Sequence, residues 1–333
     1  MVSLVTAPFH GGRLQQAANE FGIAAEQWLD LSTGVNPEGW PVPNLPAEVW
    51  QRLPENDGAL EQAAARFYGQ PMLAVPGSQW AIQTLPMLFA PTRVWIPHYG
   101  YAEHAFHWRL NGHQLETYDE LPDQHQLAPD DIVIAVNPNN PTGYRYQPDQ
   151  LLGLAMKLQQ LSGYLLVDEA FMDPSPKYSL LSGTMPDNLI VLRSLGKFFG
   201  LAGIRLGFIC CAPLLQQQLQ QRLGPWAISH PARYVGVLAL QDTVWQQHAQ
   251  QQIKYSSEKL TNLLSQHFAE AQLSTTALFV TLTLTDPEQA RRLYQHCGQH
   301  AVLVRIFPEW QKIRFGLADD FGLNRLAEVL EDL

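Results

Sequence analysis

Between residues 72 and 211, short apolar runs alternate with longer segments whose apolar residues recur every three or four positions. Short apolar runs are typical of buried strands, and the longer period is typical of helices that pack on them. The apolar runs lie at 72–75, 93–96, 131–136, 164–167, 189–192 and 206–211. This alternation predicts an α/β fold with a mostly parallel sheet that helices cover on both faces.

The pattern changes after the Gly-Pro pair at 224–225. Strands are predicted at 278–284, 302–306 and 312–317, with helices between them and a closing helix at 323–333. A chain of 333 residues is also long for a single domain. We therefore predict three parts, an N-terminal arm (1–44), a large domain (45–225) and a smaller α+β domain (226–333).

Composition excludes several classes of protein. The net charge is −10 and no run of Lys or Arg is present, so a nucleic-acid partner is not expected. No apolar stretch reaches the length of about 18 residues that a membrane span needs. The start, MVSLVTAPFHGG, lacks the pattern of a signal peptide, so a cytoplasmic protein is expected. Three unevenly spaced cysteines argue against a disulfide framework.

The segment from Ser194 to Gly207, SLGKFFGLAGIRLG, directly follows an apolar run. In open α/β sheets, ligands bind beyond the carboxyl ends of the strands. A lysine that is desolvated there can form a Schiff base with a carbonyl cofactor. Lys197 is therefore a candidate for holding such a cofactor, and Ser194 and Arg205 for binding its phosphate. A solvated lysine in a glycine-rich turn is the alternative.

Two other motifs overlap this segment. Ser194 and Lys197 have the Ser-x-x-Lys spacing of penicillin-binding enzymes, but those enzymes also carry Ser-Asp-Asn and Lys-Thr-Gly, which the chain lacks. Gly196-Lys197 resembles the end of a phosphate-binding loop, but Val191 stands where that loop needs its first glycine. Both motifs are incomplete, so neither is adopted.

Two more polar segments follow apolar runs. The loop NPNNPTG at 137–143 begins directly after one run, and Asp168 ends another. A carboxylate at a strand end can pair with a protonated pyridine nitrogen and keep the ring an electron sink. Taken alone, the loop is explained equally well as a turn, and Asp168 as a helix cap or a member of an ion pair.

Four residues resemble, in order and spacing, the fold-type-I family of pyridoxal-phosphate enzymes, the aspartate-aminotransferase superfamily: Asn140, Asp168, Lys197 and Arg205. The resemblance implies that Lys197 binds the cofactor as a Schiff base and moves protons at the substrate Cα. It implies that Asp168 pairs with the pyridinium nitrogen and that Asn140 hydrogen-bonds the ring 3-oxygen. Ser194 and Arg205 would bind the cofactor phosphate, and the active sites would lie at the interface of a homodimer.

The same resemblance implies roles for residues outside these segments. Gly77, Ser78 and Gln79 open a predicted helix, and their backbone N–H groups would complete the phosphate site. Tyr99 matches the aromatic residue that stacks on the pyridine ring. Arg314 matches the arginine that binds the substrate α-carboxylate, because its planar fork meets a carboxylate bidentately.

The N-terminal segments are similar to those of one group in this superfamily. FHGG at 9–12, WLDLSTGVNP at 28–37 and LPENDG at 53–58 resemble the L-threonine-O-3-phosphate decarboxylases of cobalamin biosynthesis. The resemblance implies that the substrate is a phosphorylated amino acid, L-threonine O-3-phosphate, and the product (R)-1-amino-2-propanol phosphate. Besides Arg314, three residues would then bind the substrate, the first and last of them at its phosphate: His10, Asn36 and Arg305.

Two positions depart from the pattern of the superfamily. Phe171 stands three residues after the aspartate, where many aminotransferase relatives have a tyrosine that donates to the ring 3-oxygen. Losing a donor to an anion raises the pKa of the cofactor's Schiff base. Leu53 precedes Pro54, where relatives often have a tyrosine that reaches the cofactor phosphate of the neighbouring subunit.

Other functions remain open. A histidinol-phosphate-type aminotransferase would use the same residues with a keto acid as co-substrate. A binding or regulatory protein of the same fold, without catalysis, is disfavoured because Lys197 and Asp168 are intact. No metal site is predicted, since the best cluster lacks a clear fourth ligand, and surface histidines on an amphipathic helix are the expected explanation. That cluster consists of Glu103, His104, His107 and the nearby His113.

Overall fold

A computed structural model describes residues 8–123 and 125–333 of the chain. The prediction about a signal peptide rests largely on residues 1–7, which lie outside the described residues. The helices are α1 (Leu14–Phe21), α2 (Glu48–Gln51), α3 (Ala59–Tyr68), α4 (Ser78–Thr84), α5 (Ala102–Leu110), α6 (Pro148–Gln160), α7 (Pro213–Leu223), α8 (His230–Gln241), α9 (Thr243–His267), α10 (Pro287–Gln299) and α11 (Asp320–Glu331). The strands are β1 (Leu29–Asp30), β2 (Leu73–Val75), β3 (Arg93–Pro97), β4 (Gln114–Tyr118), β5 (Ile132–Val136), β6 (Tyr164–Asp168), β7 (Leu189–Ser194), β8 (Gly207–Cys210), β9 (Gln272–Thr275), β10 (Phe279–Thr283), β11 (Val302–Leu303), β12 (Arg305–Phe307) and β13 (Lys312–Gly316). Short 3₁₀ helices lie at Ala25–Gln27, Leu85–Leu88, Pro176–Tyr178, Leu180–Ser182, Ala202–Ile204 and Pro308–Trp310.

A seven-stranded sheet in the order β2-β8-β7-β6-β5-β3-β4 forms the centre of the large part of the chain. Its strands are parallel except for β8, which is antiparallel to both β2 and β7. Every residue of β5 is buried, which explains why this segment is apolar throughout rather than alternating. The predicted α/β fold with a mostly parallel sheet is confirmed.

The edge strand β4 is absent from the sequence prediction. Its sequence, QLETY, is mostly polar, and only its last residue is buried. It pairs in parallel with β3 through five residues. A strand at the rim of a sheet is exposed along one side, so its pattern does not carry the apolar signal that identified the central strands.

The chain divides into two compact units. The described part of the large unit comprises Pro8, Trp40–Asn140 and Tyr144–Trp245, and the small unit comprises Phe9–Gly39, Pro141–Gly143 and Gln246–Leu333. Helix α8 packs on α3, so residues 226–245, which the prediction assigned to the C-terminal domain, cluster with the large unit. The predicted boundaries of the functional domains, after residues 44 and 225, stay predictions.

The small unit holds two sheets. One is antiparallel with the order β12-β13-β10-β9, and the other pairs β1 with β11 in parallel. The single strand predicted at 302–306 is therefore wrong, because the chain changes sheets at Val304. Leu303 pairs with Asp30, whereas Arg305 pairs with Arg314.

None of the helices in the described ranges is both long enough and apolar enough to cross a membrane. The longest, α9, has 25 residues, but its sequence is rich in Gln and Ser. Cys210, Cys211 and Cys297 are all free thiols, and the first and last of them are buried.

Candidate active site

The register of the seven-stranded sheet places the ends of three parallel strands side by side. Asp168 at the end of β6 pairs with Val136 at the end of β5 and with Leu192 in β7. The segments that follow these strands leave from one edge of the sheet, as expected for parallel strands. Asn140 and Lys197 lie in two of those segments, so the structure brings both to the edge where Asp168 lies.

The predicted phosphate-binding residues meet at the neighbouring strands. Ser194, at the end of β7, pairs with Gly207 in β8. A Cβ on Gly207 would lie 2.5 Å from the backbone N of Ser78, so the start of α4 packs directly on this strand. A Cβ on Gly77 would lie 2.8 Å from Nη2 of Arg205. Backbone N–H groups, a hydroxyl and a guanidinium are thereby gathered as a phosphate would need them.

Asp168 is buried, with 5% of its surface exposed, and its carboxylate has two partners. Oδ1 accepts from the backbone N–H of Ala170 at 3.0 Å, and Oδ2 lies 3.1 Å from Nε2 of His104. His104, in α5, is 2% exposed. Its Nδ1 is buried and has no hydrogen-bond partner among the described residues. Asp168 therefore has a buried partner that the sequence analysis missed.

The expectation of surface histidines is wrong for His104 and His113. His104 faces the sheet, and His113, 5% exposed, lies with Nε2 2.9 Å from the carbonyl oxygen of Pro86. Both imidazoles are used inside the fold: α5 buries His104 together with Glu103, and His113 follows the end of that helix. In residues 8–123 and 125–333, no three acidic, His or Cys side chains are arranged as metal ligands.

Glu103 joins the start of α4 to α5. Its Oε2 accepts from Nε2 of Gln79 at 2.6 Å and lies 2.9 Å from Nε2 of His107. The hydroxyl of Tyr101 donates to Oε1 of Gln79 at 3.2 Å. The side chain of Gln79 is thus occupied within the fold, so its predicted part in phosphate binding is left to its backbone N–H.

Lys197 is half-buried and faces an aromatic ring. Its Nζ lies 5.0 Å from the ring centroid of Phe171, which is 7% exposed. The departure noted at residue 171 therefore contacts the candidate catalytic lysine itself. The ring gives the ammonium a favourable electrostatic contact.

Two other predicted cofactor residues lie in the large unit. Oγ of Ser194 accepts from the backbone N–H of Gly196 at 3.2 Å, which orients the hydroxyl within the turn that leads to Lys197. Tyr99 is half-buried and packs edge-on against His98, with 4.7 Å between ring centroids. Their roles toward a cofactor stay predictions.

The predicted substrate arginines are cross-strand neighbours in the small unit. Arg314 in β13 is 6% exposed, and its Nη2 donates to the carbonyl oxygen of Ser32 at 2.7 Å. Arg305 in β12 pairs with Arg314. Its Cζ lies 4.8 Å from the ring centroid of Phe9 and 5.0 Å from that of Phe307. Arg305 also donates to the carbonyl oxygen of Phe9.

A small cavity in the same unit brings His10 and Arg305 together with Arg13 and Ser32. Arg13, which the sequence analysis missed, places its guanidinium 4.6 Å from the ring of Phe9. The remaining candidate is held in a turn: Nδ2 of Asn36 donates to the carbonyl oxygen of Glu38 at 3.0 Å, and Oδ1 accepts from the Glu38 N–H at 3.1 Å. Its predicted part in substrate binding stays a prediction.

Residues 47–330 match the family model described as aminotransferase class I and II. The chain belongs to this family. A curated threonine-phosphate decarboxylase of Pseudomonas aeruginosa is 42% identical over 323 residues, which cover 96% of each chain. A threonine-phosphate decarboxylase of a Sinorhizobium species is 37% identical over 349 residues, with 98% of each chain covered.

Among solved structures, the fold of this family member resembles a histidinol-phosphate aminotransferase of Sinorhizobium meliloti in complex with pyridoxal-5'-phosphate. The TM-score is 0.82, with 98% of this chain and 96% of that chain covered. The sequence identity is 22%, so the similarity shows the shared fold. It confirms the predicted fold type of the class I and II family.

Proposed function

We propose that this protein is a pyridoxal-phosphate enzyme that decarboxylates L-threonine O-3-phosphate to (R)-1-amino-2-propanol phosphate and CO2 in cobalamin biosynthesis. The observation that carries the proposal is the 42% identity, over 96% of both chains, to a curated threonine-phosphate decarboxylase. The geometry of the two units supports it, because one gathers groups that fit the cofactor and the other groups that fit an anionic substrate.

The residues of the large unit fit pyridoxal phosphate. The amine of Lys197 would bind its aldehyde carbon, and the buried carboxylate of Asp168 would pair with a protonated pyridine nitrogen. Asn140 would donate to the ring 3-oxygen, and Tyr99 would stack on the ring. Five residues would hold the phosphate, Gln79 among them through its backbone N–H: Gly77, Ser78, Gln79, Ser194 and Arg205. When bound, the cofactor supplies an electron sink for the bond that breaks at the substrate Cα.

The residues of the small unit fit the substrate's two anionic groups. Arg314 binds and orients the α-carboxylate, and Arg305 binds the phosphate together with His10. The bond from Cα to the carboxylate breaks, CO2 leaves, and the bonding electron pair stays behind. Lys197 then delivers a proton to Cα in place of the lost group, which yields the amine.

A homodimer is part of the proposal. Four exposed apolar side chains line one groove of the large unit: Val42, Trp50, Leu53 and Trp226. Trp50 is 67% exposed and Leu53 63%, and exposed apolar surface of this kind marks interaction sites. The cytoplasmic location stays a prediction from the sequence.

The histidinol-phosphate-type aminotransferase is the competing function. It would use the same residues, with Lys197 removing a proton from Cα instead of replacing a carboxylate. The choice between the two reactions would depend on whether the arginines hold the substrate so that its carboxylate or its Cα hydrogen is lost. The histidinol-phosphate aminotransferase of similar fold is 22% identical in sequence. An identity this low supports a shared fold but not a shared substrate.

The proposal is tested by mixing the pyridoxal-phosphate-loaded protein with L-threonine O-3-phosphate, without a keto acid, and following the products by proton and phosphorus NMR. Catalytic formation of 1-amino-2-propanol phosphate is expected, and Lys197→Ala should abolish it. Absence of this product, with conversion of the bound cofactor to pyridoxamine phosphate by histidinol phosphate, would place the protein among the aminotransferases instead.

A further inference from the structure

One row of residues crosses the four-stranded sheet of the small unit. Ser274 in β9 pairs with Thr281 in β10, Thr281 pairs with Arg314 in β13, and Arg314 pairs with Arg305 in β12. Directly opposed residues of neighbouring antiparallel strands point to the same face of a sheet. Two hydroxyls therefore lie in the same row, on the same face, as the two arginines assigned to the substrate.

The two hydroxyls bind the loop that follows Asn140. Thr281, which is 1% exposed, donates from Oγ1 to the carbonyl oxygen of Pro141 at 2.6 Å. Ser274 donates from Oγ to the carbonyl oxygen of Thr142. Gly143 packs so closely that a Cβ there would lie 2.6 Å from Oγ of Ser274. The chain from Pro141 to Gly143 is therefore part of the small unit, fastened to its sheet by side chains.

Asn140 precedes this fastened stretch and belongs to the large unit. There the base of the same loop is closed by Asn139, whose backbone N–H donates to the carbonyl oxygen of Tyr144 at 2.8 Å. Oδ1 of Asn137 also accepts from the backbone N–H of Tyr146 at 3.0 Å. Asn140 thus lies where one anchored stretch of backbone joins another, so the direction of its side chain depends on both anchors.

We infer that Thr281 and Ser274 are positioning residues for Asn140. By holding the carbonyl groups that follow Asn140, they keep its side-chain amide directed at the ring 3-oxygen of the cofactor. The inference rests on the proposed function only for the cofactor contact of Asn140, not for the identity of the substrate.

The test uses the holoenzyme and the variants Thr281→Val, Ser274→Ala and Asn140→Ala, with each hydroxyl variant also combined with Asn140→Ala. The readout is the pH midpoint of the change in visible absorbance of the bound cofactor, together with its dissociation constant. Asn140→Ala should raise the midpoint by about one pH unit, because a donor to an anionic oxygen is lost. Thr281→Val should raise it by roughly half as much and weaken cofactor binding about threefold.

A double-mutant cycle distinguishes positioning from a general structural effect. If Thr281 acts through Asn140, Thr281→Val adds no further shift once Asn140 is alanine. Thr283→Val is the matched control, since it is two residues along the same strand, and its hydroxyl accepts from Nζ of Lys312 at 3.0 Å instead of binding the loop. It should leave the midpoint unchanged.

An unchanged midpoint in Thr281→Val, or shifts that add fully in the double variant, would overturn the inference. Should Thr281→Val fail to fold, Ser274→Ala carries the same comparison, and an unchanged midpoint there has the same meaning. No substrate enters these measurements. Failure of the decarboxylase assay with an intact cycle would therefore refute the proposed reaction and leave the positioning role standing.

Discussion

Asp168 and Glu169 are consecutive buried carboxylates that the fold treats differently. Asp168 is 5% exposed and meets the imidazole of His104, whereas Glu169 is fully buried and meets the guanidinium of Arg193 at 3.2 Å. Arginine is permanently charged in proteins, whereas histidine is not. The two carboxylates therefore differ in how far the protein's own side chains neutralise their negative charge.

The surroundings of Glu169 are saturated. Oε2 accepts from the hydroxyl of Ser179 at 2.7 Å, and Oε1 accepts from the backbone N–H of Leu180 at 2.9 Å. Arg193 also lies 3.5 Å from Asp173, and burial raises the pKa of the Asp173 carboxyl to about 6. The two carboxylates, Glu169 and Asp173, outnumber the single arginine. The positive charge of Arg193 is therefore fully neutralised and does not attract a further anion.

The comparison separates a carboxylate that we propose binds the cofactor, Asp168, from one that supports the fold, Glu169. Because histidine, unlike arginine, is not permanently charged, the described partner of Asp168 is not a permanent cation, which suits the proposed pairing of Asp168 with a protonated pyridine nitrogen. Because Arg193 always carries its charge, it neutralises Glu169. This ion pair links β7 to the segment that follows β6. Changes at the two pairs should therefore affect different properties.

The largest effect is expected from Arg193→Met, which leaves Glu169 and Asp173 buried without a cation. Breaking a buried ion pair by removing one partner costs about 3–5 kcal/mol of the free energy of unfolding. Urea denaturation of the cofactor-free protein measures this loss. Arg52→Met is the control, since the side chains of Arg52 and Glu55 are 64% and 77% exposed, and such pairs contribute less than about 1 kcal/mol. Equal losses in the two variants would remove the distinction.

Asp168→Asn should have the opposite profile. An amide of the same shape is uncharged and cannot neutralise a pyridinium. We therefore expect kcat/KM for the decarboxylation to fall about 10²- to 10³-fold. The free energy of unfolding of the cofactor-free protein should change far less than in Arg193→Met, because no buried charge is left without a partner. The assay is the NMR product assay together with urea denaturation. An active variant, or one that is destabilised as strongly as Arg193→Met, would contradict this role.

Asp173→Asn tests the excess charge of the Glu169 cluster through pH. With its pKa raised to about 6 by burial, Asp173 keeps a proton in the native state that it has lost in the unfolded state between about pH 4 and pH 6. The contribution of Asp173 to the free energy of unfolding of the wild type therefore falls as pH rises through this window. The asparagine variant has no such proton to lose, so its stability relative to wild type should grow by up to about 3 kcal/mol and then level off. A difference that does not change with pH would contradict the assignment.

Much of the candidate cofactor site could be predicted from local sequence. Lys197, Asp168 and Asn140 each lie just beyond or at the end of an apolar run, and parallel strands that end at one edge bring such residues together without further information. The positions of Ser78 and Arg205 follow in the same way from a helix start and a glycine-rich turn. These residues are predictable because their placement depends on strand direction rather than on detailed packing.

The partners of these residues depend on long-range packing. His104 is 64 positions from Asp168 in sequence. Because its neighbours in α5 include polar residues, the sequence pattern does not indicate which side of this helix is buried. The row from Ser274 to Arg305 needs the register of four strands, and the alternation of polar and apolar residues does not determine it. A shift of two residues keeps every side chain on its face but changes every partner.

His104→Phe should give the smallest effect of this series. The ring is kept and the hydrogen bond to Asp168 is lost, which is worth about 1.5 kcal/mol for a charged acceptor, or roughly tenfold in kcat/KM. His104→Gln keeps a donor on the side chain and should recover part of the loss. His107→Phe is the matched control, one turn along the same helix, because its Nε2 meets Glu103 rather than Asp168. If both phenylalanine variants lose activity equally, the effect lies in the packing of α5. If only His104→Phe loses it and also releases the cofactor faster, His104 sets the hydrogen bonding of Asp168, and the contrast with the Arg193 cluster becomes sharper.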